Sequence, residues 1–107
     1  MKILLDENLP QKLKADFGDG FDVKTVREMG WQGKKNGALL ALIELNQFDF
    51  FVTIDKNLRY QQNLGSARFS IFIMMASNNR RDTLQQFVPK IRSKIESGNY
   101  EKINEIY

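Results

Sequence analysis

The feature that most constrains this chain is the run Ile3-Leu4-Leu5, closed by Asp6 and Glu7 within MKILLDENLP. Unbroken apolar residues over so short a stretch suit a strand buried on both faces, as at the centre of a parallel sheet. A strand with one wet face would alternate instead. Asn8 and Leu9 lead to Pro10, whose fixed φ and missing N–H suit the start of a helix. The opening is therefore strand, acidic turn, helix. Carboxylates at the carboxyl end of a central strand lie where open α/β sheets keep their ligands.

The remaining chain continues in that style. Leu9, Leu13 and Phe17 recur at helical spacing, which predicts an amphipathic helix of about two turns stopped by Gly18 and Gly20. Phe21 to Val26 alternates as a strand does. Arg27 to Gly37, REMGWQGKKNG, is a long loop, and Ala38 to Asn46 a second helix, apolar almost all round. Its one charge, Glu44, is a core-edge acid or a site member, and the edge is the better reading. Phe50 to Ile54 is a second buried strand, ended by Asp55, and Phe69 to Met75 a further apolar strand before the polar loop SNNRRD. Leu84, Phe87, Val88, Ile91 and Ile95 mark a last helix, bent at Pro89 and closed at Gly98. Residues Asn99 to Tyr107 are a docked turn or a tail of a single domain spanning 1–107.

Composition narrows the chemistry. The chain has no cysteine, hence no disulfide framework and no thiolate metal site, which fits a cytoplasmic protein. It has no histidine either, so imidazole bases, Ser-His triads and imidazole ligands are excluded. Any metal must be hard and held by oxygens, which favours Mg²⁺ or Mn²⁺. No apolar run approaches the length of a membrane span and no leader is evident, so no membrane partner is expected.

Strands alternating with helices predict an α/β sandwich of three layers with a four-stranded, mostly parallel sheet, order 2-1-3-4. The winding reverses between the Ile3–Leu5 and Phe50–Ile54 strands, so a crevice opens at their carboxyl ends. Asp6 and Asp55 end those two strands. Paired carboxylates stay ionised only with a cation between them, or else one pKa rises. Glu7 either joins from the turn or, as the neighbour of Asp6, points away; Glu28 past the end of strand 2 is a possible third acid, and Asn36 offers an amide oxygen. The same residues also have an ordinary use: Asp after a strand caps the following turn.

Cations sharpen the case. Arg27, Lys34, Lys35, Lys56, Arg59, Arg80 and Arg81 fall in loops after strands, on the rim of the acids. Asp16, Asp19, Asp49, Glu96, Glu101 and Glu105 fall at helix ends or strand starts, which places them on the opposite rim. An acidic pocket ringed by cations suits a phosphodiester backbone. Trp31 and Tyr60 are candidates for stacking on bases, Trp31 evenly balanced between a contact and a packing anchor, while Phe69 belongs better to the core.

Three blocks, KILLDENLP, VREMGWQGKKNG and FFVTIDKNLRYQQNL, together resemble the small bacterial PIN-like domain family, over Lys2 to about Ser97. PIN domains are compact α/β folds whose carboxylates bind Mg²⁺ or Mn²⁺ for RNA cleavage, and many are toxins of toxin–antitoxin pairs. The resemblance implies that Asp6 is the first-strand acid and Asp55 the acid ending the later central strand. It also implies RNA and an antitoxin protein as partners. A third acid usually stands near the start of the helix before that strand, and here the position is Asn36. An amide ligates more weakly and cannot serve as a base. Gln61 to Leu64 belongs to the third block, with no role beyond ordering the loop behind Asp55.

Three functions compete. The first is a metal-dependent endoribonuclease, with Asp6, Asp55, Glu7 and Glu28 catalytic, Asn36 joining the metal, and Lys34, Lys35, Lys56, Arg59, Arg80 and Arg81 on the phosphates. The second is a non-catalytic RNA- or antitoxin-binding module of the same fold, favoured by Asn36. The third is a receiver-like phospho-acceptor at Asp55, against which stands the lack of a fifth apolar strand ending in Lys. Oligomeric state is open, with Phe69–Met75 either an exposed pairing edge or a covered one.

Overall fold

The most apolar stretches of the chain become the inner strands of one parallel sheet. The computed structural model describes residues 1–60 and 64–107. Strand β1 (Lys2–Leu5) pairs in parallel with β2 (Asp22–Thr25) on one side and with β3 (Phe50–Thr53) on the other. Beyond β3 come β4 (Ser70–Met74) and β5 (Ile103–Ile106), again parallel, for a sheet of order 2-1-3-4-5. The helices are α1 (Leu13–Asp16), α2 (Asn36–Leu45), α3 (Arg81–Leu84) and α4 (Val88–Ser97), and a 3₁₀ turn spans Lys56–Tyr60.

Side chains leave a strand alternately to its two faces, and both faces of this sheet are buried. Ile3, Leu5, Phe50, Val52 and Phe72 enter one apolar cluster with Leu13 of α1 and Val88, Ile91 and Ile95 of α4. Leu4, Phe51, Ile71 and Ile73 enter a second cluster with Leu39 and Ile43 of α2. That double burial is the reason β1, β3 and β4 read as continuous apolar runs.

Several sequence expectations need correction. The sheet has five strands, not four, because Asn99–Tyr107 is no tail: its Ile-Asn-Glu-Ile alternation forms β5. The Asn104 amide can be buried there because it donates to the Ile71 and Glu101 carbonyls and accepts the Glu101 N–H. With β5 in place, β4 is no edge, and all five of its residues are buried. One objection to a receiver-like reading thereby weakens, although β5 runs into Tyr107 and not a lysine. Pro89 lies in the first turn of α4 and starts that helix without bending it. Gly98, at φ +73°, ends it in the left-handed conformation glycine adopts freely. The first helix is shorter than its spacing suggests. Leu13, Lys14 and Ala15 donate to the carbonyls of Pro10, Gln11 and Lys12, three residues back, so much of the segment is tight turn.

The role expected for Gln61–Leu64 falls mostly on residues 61–63, which lie outside the described residues. No helix among the described residues is long and apolar enough to cross a membrane.

Candidate functional site

The β1–β3 ladder runs one residue past β1, with the Asp6 N–H donating to the Val52 carbonyl at 3.0 Å. Since Leu5 stands opposite Val52, Asp6 falls beside Thr53 on the neighbouring strand. Thr53 is fully buried, and its hydroxyl serves both acids. It donates to Asp6 Oδ2 at 2.7 Å and accepts the Asp55 N–H at 3.0 Å. Sequence reasoning missed Thr53. The usable signal was a hydroxyl residue in an otherwise apolar buried strand, where it requires hydrogen-bond partners.

Each carboxylate also has the local duty expected of a capping Asp. Asp6 Oδ1 accepts the Glu7 N–H at 2.8 Å, and Asp55 Oδ1 accepts the Asn57 N–H at 3.0 Å. Those bonds leave lone pairs on every oxygen, because a carboxylate has about four acceptor sites. Burial pushes the Asp6 carboxyl above the ordinary aspartate value. The Thr53 hydroxyl and Glu7 N–H oppose that shift, and the negative charges of Glu7 and Asp55 add to it. Among the described residues no lysine or arginine pairs with Asp6 or Asp55, whereas Glu28, Asp16, Glu44 and Glu105 each have a cation within 4.0 Å.

The other predicted acids are turned elsewhere. Glu7 is exposed, and its carboxylate accepts the Gly33 N–H at 3.1 and 3.4 Å, tying the loop after β2 to the turn after β1. Glu28 is the possible third acid of the sequence reading. Its carboxylate instead accepts the Thr25 N–H at 3.0 Å while the Thr25 hydroxyl accepts the Glu28 N–H at 3.1 Å. This reciprocal box is the familiar Thr-x-x-Glu pattern, and Lys14 closes it at 2.9 Å. Glu28 is not among the charges felt by Asp6. Glu44 stays at the edge, accepting the Arg68 N–H at 2.9 Å. Asn36 is exposed as the first residue of α2. Because α2 follows β2 and packs on the face that holds Leu4, its amino end shares the rim and the face of Asp6. Among the described residues no cluster of three or more acids could hold a metal.

The expected division of charge between two rims fails at two points. Asp16 does not lie away from the cations, since Arg81 grips it through two parallel bonds of 3.1 and 3.0 Å. Glu105, now within β5, takes Arg59 at 2.7 Å. Both arginines are thereby occupied by carboxylates. Lys34, Lys35, Lys56 and Arg80 remain as exposed cations on the loops after β2, β3 and β4, with Arg80 only loosely paired to Asp82 at 3.6 Å. The Asn79 amide donates to the Asn8 carbonyl at 3.0 Å, so the loop after β4 is also fastened to the turn carrying Asp6. Phe69 is buried as expected, and Trp31 is half-buried edge-on to Phe48, which makes it a packing anchor. Tyr60 is exposed.

Comparison with protein-family models, curated proteins and solved structures finds no match to this chain. The donor set must therefore be judged on its own chemistry. Two partly buried carboxylates with spare lone pairs and, among the described residues, no protein countercharge fit a single hard cation completed by waters. They do not supply ligands for two ions.

Proposed function

We propose that the crevice between β1 and β3 binds one Mg²⁺ or Mn²⁺ and hydrolyses RNA phosphodiesters. In this reading the chain is a three-layer, PIN-like endoribonuclease of the kind found in toxin–antitoxin pairs. The observation that carries the proposal is the buried Thr53 hydroxyl, which donates to the Asp6 carboxylate and accepts the Asp55 backbone N–H, beside two strand-ending acids that no cation pairs with among the described residues. Asp6 and Asp55 would hold the ion, which would supply charge neutralisation at the phosphate and an acidified water. Thr53 orients Asp6 and fixes the backbone of Asp55. Lys34, Lys35, Lys56 and Arg80 would attract the flanking phosphates, and the bonds at Gly33 and Asn79 hold their loops against the acidic turn.

Asn36 in place of an acid, with Glu7 and Glu28 committed to backbone N–H groups, favours a second reading. The same fold would then bind RNA or an antitoxin protein without turnover. Calorimetric titration of Mn²⁺, followed by a cleavage assay on mixed RNA, separates the two. The nuclease reading expects binding and cleavage by the wild type, with both lost in Asp6→Asn and in Asp55→Asn. Binding of RNA with no cleavage at protein excess would leave the module reading standing. Cleavage that persists in both variants would remove the crevice from consideration.

A further inference from the structure

Large apolar or aromatic side chains that stay strongly exposed are few here. Among the described residues they are Met1, Leu45, Tyr60 and Tyr107. Met1 and Leu45 lie towards the amino ends of β1 and β3. Tyr60 follows β3 and Tyr107 follows β5, so both tyrosines stand on the rim that carries Asp6 and Asp55.

One ion pair organises both rings. Arg59 Nη1 meets Glu105 Oε2 at 2.7 Å, and the Tyr107 hydroxyl donates to Glu105 Oε1 at 3.2 Å. The Arg59 guanidinium lies 4.9 Å from the centre of the Tyr60 ring. Leu58, buried in the same 3₁₀ turn, anchors the backbone that presents Arg59 and Tyr60. The Lys90 ammonium donates to the Tyr107 carbonyl. Both rings are therefore held in place while 71% exposed. Exposed tyrosines in general lose rotamer freedom on binding, but a ring already fixed loses less. Arg59, with its charge met by Glu105, is spent on orienting Tyr60 and is a poor phosphate ligand.

We infer that Tyr60, steadied by the Arg59–Glu105 pair with Tyr107 tied to the same pair, is a stacking platform for an unpaired nucleobase. The inference rests on the RNA reading of the crevice and narrows its substrate to single-stranded RNA. Aromatic rings beside a cationic rim are the usual means of holding single strands, because every base has a π face whereas a duplex hides its own. The guanidinium covers one face of Tyr60, so a base would use the other. Strands lie about 4.8 Å apart, which sets β5 about 10 Å from β3. A base flanking the phosphate at the crevice can span that distance.

The test is fluorescence anisotropy in EDTA, with labelled oligo(U) and oligo(A) of about ten nucleotides and a blunt RNA duplex. Omitting metal separates binding from catalysis. Tyr60→Ala is expected to weaken single-strand binding about tenfold, with duplex affinity unchanged and circular dichroism as in the wild type. Tyr60→Phe and Tyr60→Trp, which keep a ring, should bind as tightly as the wild type. In a Trp31→Phe background, Tyr60→Trp fluorescence should be quenched by oligo(U). Equal single-strand affinity for wild type and Tyr60→Ala would overturn the platform and leave the crevice reading intact, as would an equal loss on single strand and duplex. Failure of the wild type to bind any RNA would overturn the RNA reading, and the platform with it.

Discussion

Asp6 and Asp16 are the same residue type ten positions apart, and the fold treats them in opposite ways. Asp16 is gripped by Arg81 through two bonds and by the Gln85 amide at 3.1 Å, and its carboxyl is pulled below the ordinary value, chiefly by Arg81. Among the described residues Asp6 meets a hydroxyl and a backbone N–H but no cation, and burial pushes it up. Both are only partly exposed. What separates a structural acid from a candidate functional one is thus the source of the countercharge. At Asp16 the chain supplies it and ties α1 to α3. At Asp6 it would have to come from outside.

The largest expected contrast is in cleavage. Asp6→Asn should lower Mn²⁺-dependent cleavage about a hundredfold or more, because metal-ion stabilisation is worth several kcal/mol. Asp16→Asn should leave it within about twofold, since each factor of two is only about 0.4 kcal/mol. Comparable losses in both variants, measured on the same RNA, would erase the distinction.

Next comes Thr53→Val, which keeps the branched shape and removes the hydroxyl. Asp6 Oδ2 and the Asp55 N–H each lose a partner beside a buried position, and urea unfolding should show a cost of about 1–3 kcal/mol. Losing that bond also raises the Asp6 pKa further, since the hydroxyl favours the ionised form. A neutral outcome would mean that water replaces the hydroxyl and that Thr53 does not join the acids.

The smallest effects are in pH dependence, and their signs are opposite. Asp16 has a lowered folded pKa, so its contribution is present above the unfolded value near 3.8 and is lost as pH falls through the folded value. Asp16→Asn should therefore lower Tm by about 4 °C at neutral pH, a deficit that closes in acid. Asp6 has a raised folded pKa, so the stability favouring its protonated form is present below 3.8 and is lost as pH rises through the folded value. Asp6→Asn should raise Tm at neutral pH, and the gain should vanish towards pH 3.8. Thermal melts across that range decide both, and two shifts of the same sign would break the comparison.

Legibility in the sequence followed how local each interaction is. Asp6 and Asp55 were visible because a strand ending is announced by its own apolar run. At Glu28 two local patterns compete, a place just beyond a strand and a Thr-x-x-Glu box with Thr25, and the folded chain uses the box. β5 was obscured by Asn104, whose acceptability in a sheet depends on carbonyls from Ile71 and Glu101 that a linear reading does not bring together. The cationic rim was overcounted for a related reason: the partners of Arg59 and Arg81 lie 46 and 65 residues away.

The sequence alone determined the inner strands, the parallel α/β class, the positions of the two acids and the absence of cysteine and histidine chemistry, because burial on both faces and residue inventory are properties of short stretches. The tertiary structure alone decided which charges are free. Long side chains find their partners across loops and helices, and the ladder register sets Thr53 against Asp6. Neither depends on neighbours in the chain, so only the assembled fold shows Arg81 spent on Asp16, Arg59 spent on Glu105, and Asp6 with no cation of its own among the described residues.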